Sequence, residues 1–284
     1  MNKRILVLGA TGKTGKRLVK RLNRDGATVR AASRTPTTNG GVRFQWSDPA
    51  TYSAALHEIS AVYLLPPEMV EDASEMLVRF LDSASRAGVA HVTFLSSLGV
   101  SFPDEPSDSG RHKHEMAVQN SGLSWTILRP SGFFQNFSEG FFLPAILESD
   151  AIVTAAGDGA VAMIDADDIA AVAAATLTDP RHKGVIYTLT GPKALRFADA
   201  ARVLSAVTRR PISYTPIEPE KMRSFLLKQG VAQDYASMLL RDLMVIRNGG
   251  GGAVSDTVRQ ITGRKAKTFE EYANETADFW RIHG

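Results

Sequence analysis

Gly9, Gly12 and Gly15 follow the apolar run Ile5-Leu6-Val7-Leu8 and precede a segment that places Leu18, Val19 and Leu22 on one helical face. The order is strand, tight turn, helix start. Glycines at such a turn let the backbone approach a pyrophosphate closely, because no Cβ intervenes and left-handed backbone angles are open to them. The helix that follows offers N–H groups without intrahelical acceptors at the positive end of its dipole. Thr11, Lys13 and Thr14 lie among the glycines and complete the candidate phosphate-binding set.

The second strand adds a choice of cofactor. Where such folds bind the adenosine ribose, a carboxylate selects the 2′-hydroxyl of NAD, and a cation accommodates the 2′-phosphate of NADP. This chain has Ala32-Ser33-Arg34-Thr35 and no acid there. Arg34 supplies a planar fork for phosphate and Ser33 a hydroxyl, so NADP(H) is favoured over NAD(H). Lys13 adds a second cation. Gln45 is a candidate contact to the adenine edge. Leu64, Leu65 and Pro66 end the fourth strand, at the edge where an open α/β sheet takes its ligand, and Ser96 ends the fifth.

The elements that must hold these residues are written as alternating short apolar runs and helical patterns. Strands are expected at Ile5–Leu8, Val29–Ala32, Val42–Gln45, Ala61–Leu65, Val92–Leu95 and within Trp125–Arg129. Between the fourth and fifth, Met69, Ala73, Met76, Leu77, Phe80 and Ala84 repeat at helical spacing. Near-continuous apolar strands between helices imply a parallel sheet covered on both faces. After Pro130 the rhythm changes. Strand-like segments at Ile152–Ala155, Val161–Ile164, Val185–Leu189 and Ile212–Thr215 are separated by longer helices. Asp165–Asp168 opens a helix with acids at its dipole-favoured end. Asn248–Gly252 reads as a flexible break, and Thr268–Trp280 as a helix with Phe269, Tyr272 and Phe279 inward. The fold class is therefore α/β: a Rossmann-type doubly wound parallel sheet with a small, interleaved C-terminal α+β subdomain. Residues 1–150, with 160–190, form the expected dinucleotide-binding domain, and 151–284 a smaller, mostly helical substrate subdomain.

Composition narrows the function classes. At 284 residues the chain can bury a sizeable core, and its 44% apolar and 22% charged content is that of a soluble globular protein. The net charge of +3 is scattered, which points away from nucleic acid. No run of some 18 apolar residues spans a membrane. The absence of cysteine excludes disulfides and thiolate chemistry. His112 and His114 stand at i, i+2, so no metal site is read. A cytoplasmic monomer or homodimer acting on a small molecule is the expectation.

Two sets of residues carry a family resemblance. Gly9-Ala-Thr-Gly-Lys-Thr-Gly15, the Ser96-Ser97 strand end and Ser121-Gly-Leu-Ser-Trp-Thr-Ile-Leu-Arg-Pro130 resemble the NmrA-like branch of the atypical short-chain dehydrogenase/reductases. Asn136-Phe-Ser-Glu139, Gly157-Asp-Gly159 with Asp168-Ile-Ala170, and Thr262-Gly-Arg264 with Lys267-Thr-Phe-Glu-Glu271 are similar to the fungal ergot-alkaloid reductases of the festuclavine and agroclavine dehydrogenase type. The resemblance spans nearly the whole chain. It implies an NADPH-dependent reductase or a dinucleotide-sensing relative, and leaves the substrate open.

Short-chain dehydrogenases of the usual kind use a Tyr-x-x-x-Lys pair and a serine on the fifth strand. Counted from Ser121-Gly122 as in these families, the pair falls on Ser107 and Arg111, and no tyrosine occurs between Tyr63 and Tyr187. Ser97 is a candidate substrate-binding hydroxyl. His112 is a candidate general acid, and Lys113 a stand-in for the missing lysine. A further reading needs no acid, because an iminium already carries its charge and requires only hydride. Phe133, Phe134, Asn136 and Phe137 are the expected substrate walls and orienting amide, with the helices Lys221–Gly230 and Gln233–Arg247 as a lid. The leading expectation is hydride transfer to a C=N (imine or iminium) or activated C=C bond of an aromatic or heterocyclic molecule. A redox sensor without turnover, and a quinone or azo reductase, are the alternatives.

Overall fold

The computed structural model describes residues 4–36 and 40–280. In chain order the elements are β1 (Arg4–Val7), α1 (Lys13–Arg24), β2 (Thr28–Ser33), β3 (Val42–Arg43), α2 (Ala50–Leu56), β4 (Ala61–Leu64), α3 (Ser74–Arg86), β5 (His91–Leu95), α4 (Gly110–Gln119), β6 (Ser124–Pro130), α5 (Leu143–Ser149), β7 (Ala151–Thr154), β8 (Ala160–Val161), α6 (Ala166–Thr178), β9 (Val185–Leu189), β10 (Leu195–Arg196), α7 (Phe197–Thr208), β11 (Ser213–Pro216), α8 (Pro219–Lys228), α9 (Gln233–Arg247), α10 (Thr257–Thr262) and α11 (Phe269–Glu275). They fall into two compact units. One holds the residues up to Val100 with Pro106–Pro130 and Ile169–Thr188, and the other holds Ser101–Glu105, Ser131–Asp168 and Leu189 onward. The main division thus lies at Pro130/Ser131 and not at residue 150, because the chain leaves the sheet at the end of β6.

The first unit is built on a seven-stranded sheet of order β3-β2-β1-β4-β5-β6-β9. The first six strands pair in parallel throughout. The chain runs outward from β1 to β3 and then crosses back to β4, so the order reverses between β1 and β4. A parallel α/β sheet leaves its ligand crevice beyond the carboxyl ends of the strands at such a reversal. Residues of β1, β4 and β5 are buried on both faces, which is why their sequences read as continuous apolar runs. Leu18 and Leu22 seat α1, and Leu77, Phe80, Leu81 and Ala84 seat α3. The expected apolar face before α3 is shorter than its periodicity suggested. Met69 lies outside the helix at φ +60 and is exposed, and α3 begins at Ser74, whose N–H donates to the Asp72 carboxylate.

The second unit has two small sheets, β7 with β11 in parallel and β8 with β10 antiparallel. Its core is aromatic: Phe134, Phe137, Phe142, Phe197, Phe269, Tyr272 and Trp280 pack together. The helix expected over Thr268–Trp280 ends at Glu275, and a 3₁₀ turn follows at Ala277–Trp280. That turn reverses the expected burial. Phe279 is exposed, while Trp280 is fully buried and donates its indole N–H to the Phe137 carbonyl at 2.7 Å. The run Asn248–Gly252 is also not a loose break. A methyl on Gly250 would come within 2.6 Å of the Val245 side chain, and one on Gly251 within 2.9 Å of Ile246. The Gly251 carbonyl accepts the Ala162 N–H at 3.1 Å. Glycine serves close packing here.

Candidate dinucleotide site

The glycine turn is closed by three backbone bonds. Leu8 donates to the Tyr63 carbonyl at 3.1 Å, Ala10 to that of Ala32 at 3.0 Å, and Gly12 to that of Gly9 at 2.9 Å. Gly9 sits at φ +60, a left-handed angle that a side chain disfavours. A Cβ on Gly15 would stand 2.1 Å from the Gly9 carbonyl oxygen, closer than a non-bonded carbon can come, so the start of α1 rests directly on the turn. The cap of α1 is Gly12, with no side-chain cap bond and no acid in the first turn. The N–H groups of Lys13, Thr14 and Gly15 bond to no other described residue. Anionic oxygens are what such groups accept, and the side-chain-free cradle fits a dinucleotide pyrophosphate. Thr11 is exposed and Lys13 half-buried above this turn. Thr14 is buried beneath it, where its hydroxyl accepts from Tyr63 at 3.0 Å.

At the end of β2, the Ser33 hydroxyl donates to the Thr35 carbonyl at 2.8 Å, so it shapes the turn. Arg34 is exposed and pairs with no described residue. Gln45 accepts from Arg43 at 3.0 Å and donates to Ser47 at 3.0 Å, which holds its amide in a surface network. Leu65 and Pro66 are half-buried, with Leu65 against the Gly9 turn. Leu64, expected beside the ligand, is instead fully buried in the core of the sheet, because β4 is central and covered on both faces.

Beyond β5 the structure reveals a network that the sequence did not announce. The Ser96 hydroxyl donates to Glu115 Oε1 at 2.6 Å, and Arg129 binds the same carboxylate through Nε at 2.9 Å and Nη2 at 2.6 Å. Glu115 is buried on α4, so β5, α4 and β6 are tied at one point. The Ser97 hydroxyl accepts the Gly99 N–H at 3.1 Å and caps the following 3₁₀ turn.

Helix α4 begins at Gly110, capped by the Ser109 hydroxyl. Arg111–His114 therefore forms its first turn. His112 Nδ1 lies 2.9 Å from the Pro106 carbonyl, which can only accept, so Nδ1 carries the proton and Nε2 is left for other partners. Lys113 is committed to Asp72 at 2.7 Å. Against the upward push of burial, the Lys113 ammonium and the Ser74 bonds hold the Asp72 carboxyl down at about 2. His114 is buried and accepts the Ala73 N–H at Nε2, 2.7 Å away. Burial pushes its pKa down to about 4, so the ring is neutral.

Of the expected substrate residues, Phe134 and Phe137 are core. Their ring centroids lie 5.2 Å from Phe269 and 4.9 Å from Phe142 respectively, and both side chains are sealed from solvent. An aromatic triplet reads identically whether it lines a pocket or fills a core. Phe133 and Asn136 remain half-buried. The C-terminal motif finds its purpose in the same unit: the buried Asp168 carboxylate accepts the Lys267 N–H at 2.7 Å and Arg264 Nη2 at 3.3 Å. No described helix is long and apolar enough to cross a membrane.

The family model for NAD(P)H-binding matches residues 9–180, from the first glycine of the turn through the last helix of the sheet unit. The chain belongs to the NAD(P)H-binding family. It is 34% identical over 287 residues to the NAD(P)H azoreductase of Xenophilus azovorans, covering 96% of this chain and 98% of that one. It is 29% identical to the agroclavine dehydrogenase of Claviceps fusiformis, covering 97% and 98%. The NADPH complex of the Escherichia coli quinone oxidoreductase has the same fold, with a TM-score of 0.80 at 24% identity over 96% of this chain and 99% of that one. The resemblance to reductases of the agroclavine dehydrogenase type accords with these relatives.

Proposed function

We propose that this family member is an NADPH-dependent reductase that delivers hydride to a C=N (imine or iminium) or activated C=C bond of a small aromatic or heterocyclic molecule. The observation that carries the reading is the bare start of α1: a glycine cradle, an uncapped and acid-free first turn, and Arg34 unpaired with any described residue at the end of β2. Backbone N–H groups of Lys13, Thr14 and Gly15 bind the pyrophosphate, and Arg34, with Lys13, binds the 2′-phosphate. Bound NADPH supplies the hydride.

The protein's own part is positioning. The Tyr-x-x-x-Lys pair is replaced by Ser107 and Arg111, and Lys113 is held by Asp72. An iminium is neutralised by hydride alone and needs no proton donor. Reduction of an activated C=C bond places hydride on one carbon and requires a proton on the other. His112, in its doubly protonated imidazolium form, is the candidate donor for it, giving up the Nε2 proton while Nδ1–H stays on the Pro106 carbonyl. Ser97 offers a hydrogen bond to substrate. An azo reductase is the neighbouring reading, favoured by the name of the 34% identical relative.

The test is stopped-flow oxidation of NADPH against cyclic iminium ions, enones, quinones and azo dyes. Single-turnover reduction of the iminium or enone set is expected. Tight NADP binding with no turnover of any class overturns the enzyme reading in favour of a sensor, and turnover of azo dyes alone moves the assignment to that class.

A further inference from the structure

Tyr63 is the residue of β4 that closes the first backbone bond of the glycine turn, through its carbonyl. Its side chain is fully buried, so its hydroxyl has no water to bond and must find a protein partner. The partner is the Thr14 hydroxyl, 3.0 Å away and itself buried, in the first turn of α1. The two residues are 49 apart in sequence and lie on adjoining elements of one unit. Thr14 and its neighbours Lys13 and Gly15 carry the three free N–H groups of the cradle. A sheet residue thus grips, from below, the helical turn that would hold the phosphates from above.

We infer that Tyr63 is a positioning residue of the dinucleotide site, fixing through Thr14 the direction of the N–H groups of Lys13, Thr14 and Gly15 toward a pyrophosphate. This rests on the dinucleotide reading of the glycine turn. A phenylalanine fills the same volume in β4 without the hydroxyl, leaving Thr14 without its buried partner and the turn free to rotate. Aligned donors are worth more than loosely held ones because their ordering has already been met before the ligand arrives. The grip acts on one part of the ligand only. Arg34, at the end of β2, does not depend on it.

The experiment measures calorimetric affinities of wild type, Tyr63→Phe, Thr14→Val, Thr14→Ser and the Tyr63→Phe/Thr14→Val double variant for NADPH, for ADP-ribose, which carries the pyrophosphate, and for 2′-AMP, which does not. Thermal midpoints are recorded alongside. Tyr63→Phe is expected to weaken NADPH and ADP-ribose by about three- to tenfold, the range of one net hydrogen bond, and to leave 2′-AMP unchanged. The double variant is expected to be no weaker than Thr14→Val, and Thr14→Ser is expected to keep wild-type affinity. Equal losses for all three ligands, or additive losses in the double variant, assign Tyr63 a merely structural role and overturn the inference. So does a lowered midpoint with unchanged ADP-ribose affinity. A wild-type protein that binds neither NADPH nor ADP-ribose overturns the dinucleotide reading itself, which is a different result from wild-type binding that survives Tyr63→Phe.

Discussion

Arg129 holds the buried carboxylate of Glu115 with two roughly parallel bonds, Nε to Oε1 at 2.9 Å and Nη2 to Oε2 at 2.6 Å. Removing one partner of a buried ion pair leaves the other charge uncompensated and costs about 3–5 kcal/mol. Glu115→Ala is expected to lose that much stability in urea unfolding. Glu115→Gln, which keeps an acceptor for Ser96, is expected to lose less. Equal stability of Glu115→Ala and wild type would refute the role of this pair.

The contact of Gly15 with the Gly9 carbonyl gives a graded prediction. A Cβ at Gly15 stands 2.1 Å from that oxygen, whereas one at Gly12 stands 3.2 Å from it. Gly15→Ala must displace backbone, at a cost of at least about 1–3 kcal/mol, and is expected to abolish measurable NADPH binding. Gly12→Ala is expected to be milder on both counts. Melting curves and calorimetry of the two variants check the order.

Arg34 is the residue on which cofactor choice is proposed to turn. Arg34→Ala is expected to weaken NADPH by roughly 1.5–3 kcal/mol and to leave NADH almost unchanged. Equal losses for both dinucleotides would remove the 2′-phosphate from its role.

His114 makes stability depend on pH. Its folded pKa of about 4 lies below the ordinary 6.5, chiefly through burial, with Lys113 and Arg111 pushing the same way and Asp72 opposing. The unfolded chain therefore takes up this proton first as pH falls. The stability is fully present above pH 6.5 and is lost between there and about 4, by on the order of 2 kcal/mol from pH 7 to pH 5. In His114→Gln the amide oxygen still accepts the Ala73 N–H and does not titrate. Its urea midpoint is expected to fall less than that of wild type over the same interval.

The sheet was legible because its signals are local. A strand-turn-helix with glycines at fixed offsets, and apolar runs of strand length, specify parallel β-α units without any long-range knowledge. What escaped was pairing between distant residues. Nothing near Lys113 or His114 announces Asp72 and Ala73, each 41 residues away, so a charged segment that looked available for chemistry is in part a clasp between α4 and the start of α3. Phe134 and Phe137 were misplaced for the related reason that their partners, Phe269 and Tyr272 among them, arrive more than a hundred residues later.

The glycine run after α9 bears on where this protein tolerates surgery. By composition Asn248–Gly252 is the segment into which one would splice a tag, a cleavage site or a new terminus. Yet a Cβ at Gly250 would stand 2.6 Å from the Val245 side chain and one at Gly251 2.9 Å from that of Ile246, and Gly251 bonds to Ala162. A methyl added at Gly230, between α8 and α9, would meet nothing within 4 Å. Grafts belong there, and a protease that nicks the four-glycine run reports a second unit already coming apart.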